Sequence, residues 1–216
     1  MSRPWPWLGG RPAHPILSVM DSDGELLLLL RSGDERAFVS LVQRYHEPML
    51  QLAASFVPNR AVAEEVVQDT WLAVLRGLEG FEGRSSLKTW LFRILVNRAR
   101  TTGTREQRSV PVADPEPVVD PSRFDASGGW ADPPEQWIEA AEGRMEAGKL
   151  VDRIRVWIDE LPARQREVVL LRDVEGMSSE EVCTVLALTD GNQRVLLHRG
   201  RSRLRQLFED EFRGVR

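Results

Sequence analysis

The sequence is poor in residues that hold metals or form covalent cross-links. Its 216 residues include one cysteine, Cys183, and three widely spaced histidines, His14, His46 and His198. One cysteine excludes an internal disulfide, and the histidines match no zinc-binding spacing. We therefore expect no metal and no other cofactor. Cys183 stands on the apolar side of a short predicted helix, where a small buried residue is expected rather than a nucleophile.

Long apolar runs are absent as well. The leucine run Leu26–Leu30 is bracketed by Glu25 and Arg31, and it is far shorter than the roughly 20 apolar residues that cross a bilayer. The first twenty residues are rich in proline and glycine and lack the apolar run of a signal peptide. No membrane segment is predicted, and a cytoplasmic location is expected. Because Met20 directly precedes the regular pattern, Met1 and Met20 are alternative starts.

Enzyme motifs are also missing. The sequence contains no phosphate-binding glycine loop, no metal-binding cluster and no nucleophile paired with a base, so we expect that the protein is not an enzyme. Hydrophobic residues make up 42% and charged residues 29%, an ordinary globular balance. Since the net charge is −4, binding to nucleic acid would require clusters of basic residues.

One basic cluster lies in a carboxy-terminal stretch whose pattern is typical of a helix-turn-helix. Ser178 stands three residues before Glu181, the reciprocal capping arrangement that opens a helix, and apolar residues follow at helical spacing. Thr189 and Asp190 can cap the next helix. The apolar face of that second helix consists of Leu197, Gly200, Leu204 and Leu207.

The second helix also carries a polar and cationic face. Its members are Asn192, Gln193, Arg194, His198, Arg201 and Arg205. Asparagine and glutamine can pair bidentately with adenine and arginine with guanine, while the later arginines are better placed for phosphates. This face predicts contact with the major groove of DNA. The alternative is a basic surface that is merely solvated.

The amino-terminal half predicts two long helices. The first covers residues 35–57 with a kink at Pro48, and the second covers residues 60–78. The outward face of the second helix is acidic and consists of Glu64, Glu65, Gln68 and Asp69. Such a face can bind a partner, and a solvated helix surface is the alternative.

A loop over residues 77–86 and a basic helix follow. The predicted buried stripe of this helix consists of Leu87, Leu91, Ile94 and Leu95. Its predicted outward stripe consists of Thr89, Arg93, Asn97 and Arg100. A cationic stripe beside a loop that bears Phe81 suits single-stranded DNA, because cations track phosphates and a loop pocket can hold an unstacked base. Trp90 is expected in the core, with a base platform as the alternative.

Prolines and an excess of acids interrupt the helical pattern over residues 109–149, which predicts a linker that DNA repels. The predicted fold class is all-α, with two small helical domains joined by this acidic, proline-rich linker and with a helix-turn-helix in the carboxy-terminal domain. The predicted boundaries are a disordered extension over 1–22, a first domain over 23–108, the linker over 109–149 and a second domain over 150–212.

Two blocks of the sequence resemble bacterial RNA polymerase sigma factors of the sigma-70 family, in particular the extracytoplasmic-function (ECF) group. The carboxy-terminal similarity lies in LPARQREVVLLRDVEGMSSEEV and NQRVLLHRGRSRLR, which resemble the domain that reads the −35 promoter element. In the other block, AEEVVQDTWLAVL resembles the segment that docks on the clamp helices of the polymerase β′ subunit. SSLKTWLFRILVNRAR resembles the segment that recognises and melts the −10 element. Ala187, Val195 and Leu196 depart from the usual family pattern of a glycine and a Ser-Arg pair.

The resemblance implies an alternative sigma factor that binds core RNA polymerase, directs it to promoters and promotes DNA melting. For the −35 element it implies Asn192, Gln193, Arg194, His198, Arg199 and Arg201. For the −10 element it implies Arg84, Ser85, Lys88, Thr89, Arg93, Asn97 and Arg98. For the β′ clamp helices it implies Glu65, Gln68 and Asp69. A helix-turn-helix regulator that works without polymerase is the alternative. The sequence leaves open the promoter sequence, the inducing signal and whether an anti-sigma factor binds.

Overall fold

A computed structural model describes residues 23–106 and 147–213. Every regular element within these ranges is a helix, which confirms the all-α class. The predicted extension over 1–22 and most of the predicted linker over 109–149 lie outside the described residues. The helices are α1 (Asp23–Arg31), α2 (Glu35–Ala53), α3 (Arg60–Gly77), α4 (Leu87–Glu106), α5 (Ala147–Asp159), α6 (Ala163–Val169) followed by a π-helical turn (Leu170–Val174), α7 (Ser179–Leu186) and α8 (Asp190–Arg213). None of them is long and apolar enough to span a membrane.

The chain divides into two compact units. Helices α1 to α4 belong to the amino-terminal unit, and α5, α6, α8 and the start of α7 belong to the carboxy-terminal unit. The core of the amino-terminal unit lies where α2, α3 and α4 meet. Its fully buried side chains include Leu41, Met49, Val67, Leu91, Phe92 and Leu95.

The ends of the amino-terminal helices follow from local sequence. The Asp34 side chain accepts a hydrogen bond from the Ala37 amide over 2.9 Å, which caps α2. Helix α2 ends at Ala53 rather than at the predicted residue 57, and residues 54–56 continue as a turn. Asn59 then caps α3 by accepting from the Val62 amide over 3.0 Å.

The leucine run forms the short packed helix α1. Leu26 and Leu30 are buried, whereas Leu28 is 68% exposed. One face of α1 therefore packs on the unit and the other meets solvent, which fixes the position of Arg31 at the helix end.

In the carboxy-terminal unit, α8 packs on α5 and α6. The rings of Trp157 and Phe208 meet edge to face with centroids 6.0 Å apart and join α5 to α8. Gly200 lies on the predicted apolar face of α8, where a Cβ atom would stand 2.6 Å from Cγ2 of Val169. The two helices therefore approach closely because position 200 has no side chain.

Candidate nucleic-acid interface

The predicted helix-turn-helix caps form in the structure. Ser178 Oγ accepts from the Glu181 amide over 3.2 Å, and the Ser178 amide donates to the Glu181 carboxylate over 2.9 Å. Thr189 Oγ1 accepts from the Asn192 amide over 3.3 Å at the start of α8. Between the two helices Ala187 adopts the left-handed backbone with φ of 51°, a conformation that glycine adopts more readily.

A polar bridge ties the start of α7 to the start of α8. Ser179 Oγ lies 2.8 Å from Asp190 Oδ1 and 2.8 Å from Gln193 Oε1. Gln193 is only 1% exposed. The prediction that Gln193 lies on the exposed polar face is therefore wrong, because its side chain packs inward and helps fix the angle between the two helices.

Arg201 also faces inward. Its Nε lies 2.9 Å from Asp173 Oδ2, and its NH2 group lies 2.5 Å from Oδ1, so the pair is bidentate. Arg201 is 5% exposed and Asp173 is 3% exposed. The expectation of an outward Arg201 is wrong because positions 197, 200, 201 and 204 share the buried side of α8.

The accessible face of α8 is narrower than the sequence pattern indicated. Asn192, Arg194, Val195 and Arg203 are exposed, and Arg199 is half-buried. Arg194 forms a surface ion pair with Asp190 over 2.7 Å, a bond that solvent screens and DNA can replace. Arg203 extends this surface by one turn beyond Arg199.

Two further residues of α8 that were expected to contact DNA are partly buried. Arg205 keeps only 14% of its side chain exposed and pairs with Glu209 over 2.8 Å. His198 is half-buried, and burial together with the nearby Arg199 charge lowers its pKa. His198 is therefore a neutral hydrogen-bonding group at pH 7 rather than a cation.

The start of α4 is capped by the loop before it. Ser86 Oγ accepts from the Thr89 amide over 3.1 Å and lies 2.7 Å from Thr89 Oγ1. Thr89 is 2% exposed. The prediction that Thr89 belongs to the outward stripe is wrong, because its hydroxyl turns back to complete the cap.

The rest of the predicted −10 residues lie on or near the surface. Arg93, Asn97 and Arg84 are exposed, while Lys88, Ser85 and Arg98 are half-buried. Arg98 lies 3.6 Å from the Asp69 carboxylate on α3. Arg84 lies 3.1 Å from Glu82 within the loop, and both side chains are mostly exposed. Arg93 and Asn97, one turn apart on α4, are the best placed of these for a strand of nucleic acid.

Phe81 and Trp90, the aromatic residues of this region, pack against each other with tilted rings. The rings of Phe81 and Trp90 lie 4.9 Å apart at 41°. Phe81 is 7% exposed and Trp90 is half-buried. Phe81 is therefore part of the support of the loop and does not offer its ring to a base.

The exposed face of α3 combines acids with leucines. Glu65, Gln68 and Asp69 are all exposed, as predicted for a partner surface. One to two turns further along the helix, Leu72 is 51% and Leu75 is 48% exposed. The α3 face therefore joins polar side chains to exposed apolar area, a combination that protein interfaces share.

Comparisons with known proteins identify the family of the chain. The family models "Sigma-70 region 2" and "Sigma-70, region 4" match residues 41–109 and 152–204. The RNA polymerase sigma-H factor of Pseudomonas aeruginosa is 30% identical over 181 residues, which cover 84% of this chain and 91% of that protein. The chain belongs to the sigma-70 family.

Other comparisons place the chain in the ECF group of that family. The ECF RNA polymerase sigma-E factor of Escherichia coli K12 is 29% identical over 180 residues, covering 83% of this chain and 91% of that protein. The structure of CnrH in complex with the cytosolic domain of CnrY matches with a TM-score of 0.54 and 26% identity, covering 88% of this chain and 99% of that one.

Family membership decides between the functional alternatives. The chain is an alternative sigma factor that directs RNA polymerase to promoters, and it belongs with regulatory, non-catalytic proteins. The alternative of a regulator that works without polymerase loses its support. Region 2 of the family falls within the amino-terminal unit, and region 4 falls within the carboxy-terminal unit except for residues 184–187.

Some exposed residues of these surfaces were not among the residues predicted from the sequence. Arg203 follows Arg199 by four positions, so helical spacing alone could have added it to the DNA face. Leu72 and Leu75 follow Gln68 by four and seven positions, so helical spacing could also have added them to the outward face of α3. Both are about half exposed.

Proposed function

We propose that this sigma factor uses three surfaces in order: α3 docks on polymerase, α8 reads the −35 element, and α4 with its preceding loop traps the opened −10 element. The observation that carries the proposal is the difference in charge between the side chains that these helices expose, although Arg98 of α4 pairs with Asp69 of α3. Region 2 presents acids and leucines on α3, whereas α4 and α8 present exposed arginines. Acids repel DNA, so the α3 face suits a protein partner.

The α8 face suits duplex DNA. Asn192 and Arg194 lie in the first turns, where a recognition helix meets base edges, and Arg199 and Arg203 lie further along, where phosphates are reached. Val195 is 49% exposed between them. An exposed valine on a polar reading face suits the methyl group of thymine, the apolar feature of the major groove.

The α4 surface suits a single strand. Arg93 and Asn97 supply a cation and an amide on one exposed side, and the loop residue Arg84 adds a second exposed cation. Cations of this kind track phosphates, and a neighbouring loop can hold a displaced base. Work on polymerase and promoter DNA implies a cytoplasmic location.

An anti-sigma factor is a further proposed partner. CnrH, the structural relative, is seen in complex with the cytosolic domain of CnrY. A comparable protein could occupy the α3 face of this chain, because Leu72 and Leu75 offer apolar area that a competitor of polymerase can bury.

Reversing the charge on α3 tests the proposed polymerase surface. The double variant Gln68→Lys, Asp69→Lys should lose capture by core RNA polymerase, because two ammonium groups replace an amide and a carboxylate on the docking face. Both residues are exposed, so thermal unfolding should shift little. Co-purification of the tagged chain with core enzyme measures the effect.

The matched control is Glu35→Lys with Gln43→Lys, two exposed positions of α2 whose replacement changes the charge by the same amount. This control should bind core enzyme as the wild type does. Undiminished capture of core enzyme by the Gln68→Lys, Asp69→Lys variant would show that the acidic face is a solvated surface.

A further inference from the structure

Arg31 fastens the start of the α3–α4 loop, which we define as residues 78–86. Its Nε donates to the Leu78 carbonyl over 3.1 Å, and its NH2 group donates to the carbonyls of Glu79 over 3.4 Å and Phe81 over 2.5 Å. These carbonyls lie just after the end of α3. The end of a helix carries partial negative charge, so a guanidinium beside it is favoured.

Two other contacts hold the same loop. The Phe81 ring packs on Trp90 of α4 at a centroid distance of 4.9 Å. At the far end of the loop, Ser86 caps α4 through its bond with the Thr89 amide. The stretch between these anchors is the exposed part, where Gly83 adopts the left-handed backbone with φ of 70°. Contacts therefore hold the exposed stretch of the loop at both of its ends.

Arg31 reaches the loop from a rigid position. It is the last residue of α1, and α1 is held on the unit by the buried Leu26 and Leu30. The guanidinium is a planar fork of donors, and one such fork can address several carbonyls at once. A lysine at this position would carry the charge but could not satisfy the same three acceptors with the same geometry.

We propose that Arg31 is a positioning residue for strand opening, which holds the α3–α4 loop in the shape that receives an unstacked base. This inference rests on the function proposed above for region 2. A flexible loop must lose conformational freedom when it closes on a base, and that loss weakens binding. A loop that Arg31 has already ordered avoids most of this cost. The benefit should appear in discrimination between bases, because a loosely held loop adapts to wrong bases as well as to the right one.

The test uses the full chain bound to core RNA polymerase. Wild type, Arg31→Gln and Arg31→Lys are compared with the control Arg36→Gln, which removes an exposed arginine from α2. The measured quantity is the ratio of affinities for single-stranded oligonucleotides that carry the −10 sequence of promoters opened by the wild type, or the same sequence with one base changed. A ratio does not depend on the fraction of active protein.

Arg31→Gln should lower this ratio by about tenfold, which corresponds to about 1.4 kcal/mol. Arg31→Lys should fall between Arg31→Gln and wild type, and Arg36→Gln should match wild type. Amide hydrogen exchange over residues 79–85 should quicken in Arg31→Gln while exchange in the middle of α2 stays unchanged.

Each of four results would overturn the inference. Equal weakening for right and wrong bases would mean that Arg31 only stabilises the unit. Faster amide exchange with an unchanged ratio would mean that loop order is irrelevant to base choice. If the wild-type holoenzyme discriminates and Arg31→Gln discriminates equally well, the role of Arg31 fails while the proposed function stands. A wild type that opens no promoter with core enzyme would defeat the proposed function, and this inference with it.

Discussion

At the scale of single residues, burial separates two arginines of α8 that look alike in the sequence. Arg201 is buried against Asp173, and Arg203 is exposed two positions later. Replacing Arg201 by Ala should lower the free energy of unfolding by about 3–5 kcal/mol, because a buried carboxylate loses its partner. Replacing Arg203 by Ala should change it by less than about 0.5 kcal/mol. Urea unfolding measures both.

The two arginines should differ in the opposite sense in DNA binding. Arg203→Ala should weaken binding to all sequences and reduce the slope of log affinity against log salt by about one, as expected when one phosphate contact is lost. A folded Arg201→Ala protein with full stability and weaker DNA binding would contradict the buried assignment. The sequence could not reveal this difference, because Asp173 lies 28 positions before Arg201. Asp173 also belongs to a π-helical turn, which the apolar spacing of the sequence does not predict.

At the scale of elements, the close approach of α6 and α8 depends on one glycine. A Cβ at position 200 would stand 2.6 Å from Val169 Cγ2, whereas a Cβ at position 191 would meet nothing within 4 Å. Gly200→Ala should therefore destabilise the unit by about 1–3 kcal/mol through overpacking. Gly191→Ala, in the first turn of the same helix, should be neutral or stabilising by up to about 1 kcal/mol.

Thermal unfolding of the two alanine variants measures this difference. An equal effect of the two replacements would show that α8 can shift away from α6 at no cost. If α8 is displaced as expected, Gly200→Ala should also weaken specific promoter binding, because the reading face would move relative to α7. Gly191→Ala leaves that packing intact and serves as the matched control for helix propensity.

Local signals predicted the elements better than they predicted the direction of individual side chains. Ser178 with Glu181 marked the start of α7 correctly, because a capping box is complete within four residues. Thr89 was assigned to the wrong face of α4, since its helical position at 89 matches those of Arg93 and Asn97. Its cap with Ser86 decided its direction. Near the first turn of a helix, capping geometry outweighs the helical period.

At the scale of the whole molecule, the net charge of −4 conceals surfaces of opposite sign. Exposed acids lie on α3, and exposed arginines lie on α4 and on α8, so one chain can offer an acidic surface to a protein and basic surfaces to DNA. The two proposed DNA-binding surfaces belong to different units. We therefore expect that variants can impair duplex reading and strand trapping separately.

Strand opening should require both core polymerase and the α4 surface. Extruding a base from a duplex costs a few kcal/mol, and contacts to a base recover roughly 1–3 kcal/mol. The sequence has no nucleotide-hydrolysis motif to supply the difference. Under the proposed function the chain traps bases that polymerase-bound DNA exposes, so we expect the free chain to open nothing.

Permanganate footprinting of thymines near the start site tests this dependence. Wild type with core enzyme should give reactive thymines, and wild type alone should give none. The variant Arg93→Ala, Asn97→Ala should give few on an intact duplex, because both residues belong to the exposed face of α4. It should give normal reactivity on a promoter whose bubble is already mismatched, since no opening is then required.

Arg36→Ala, at an exposed position of α2, should behave as wild type. Full opening of an intact duplex by the double variant, or any opening by the wild type without core enzyme, would contradict the mechanism.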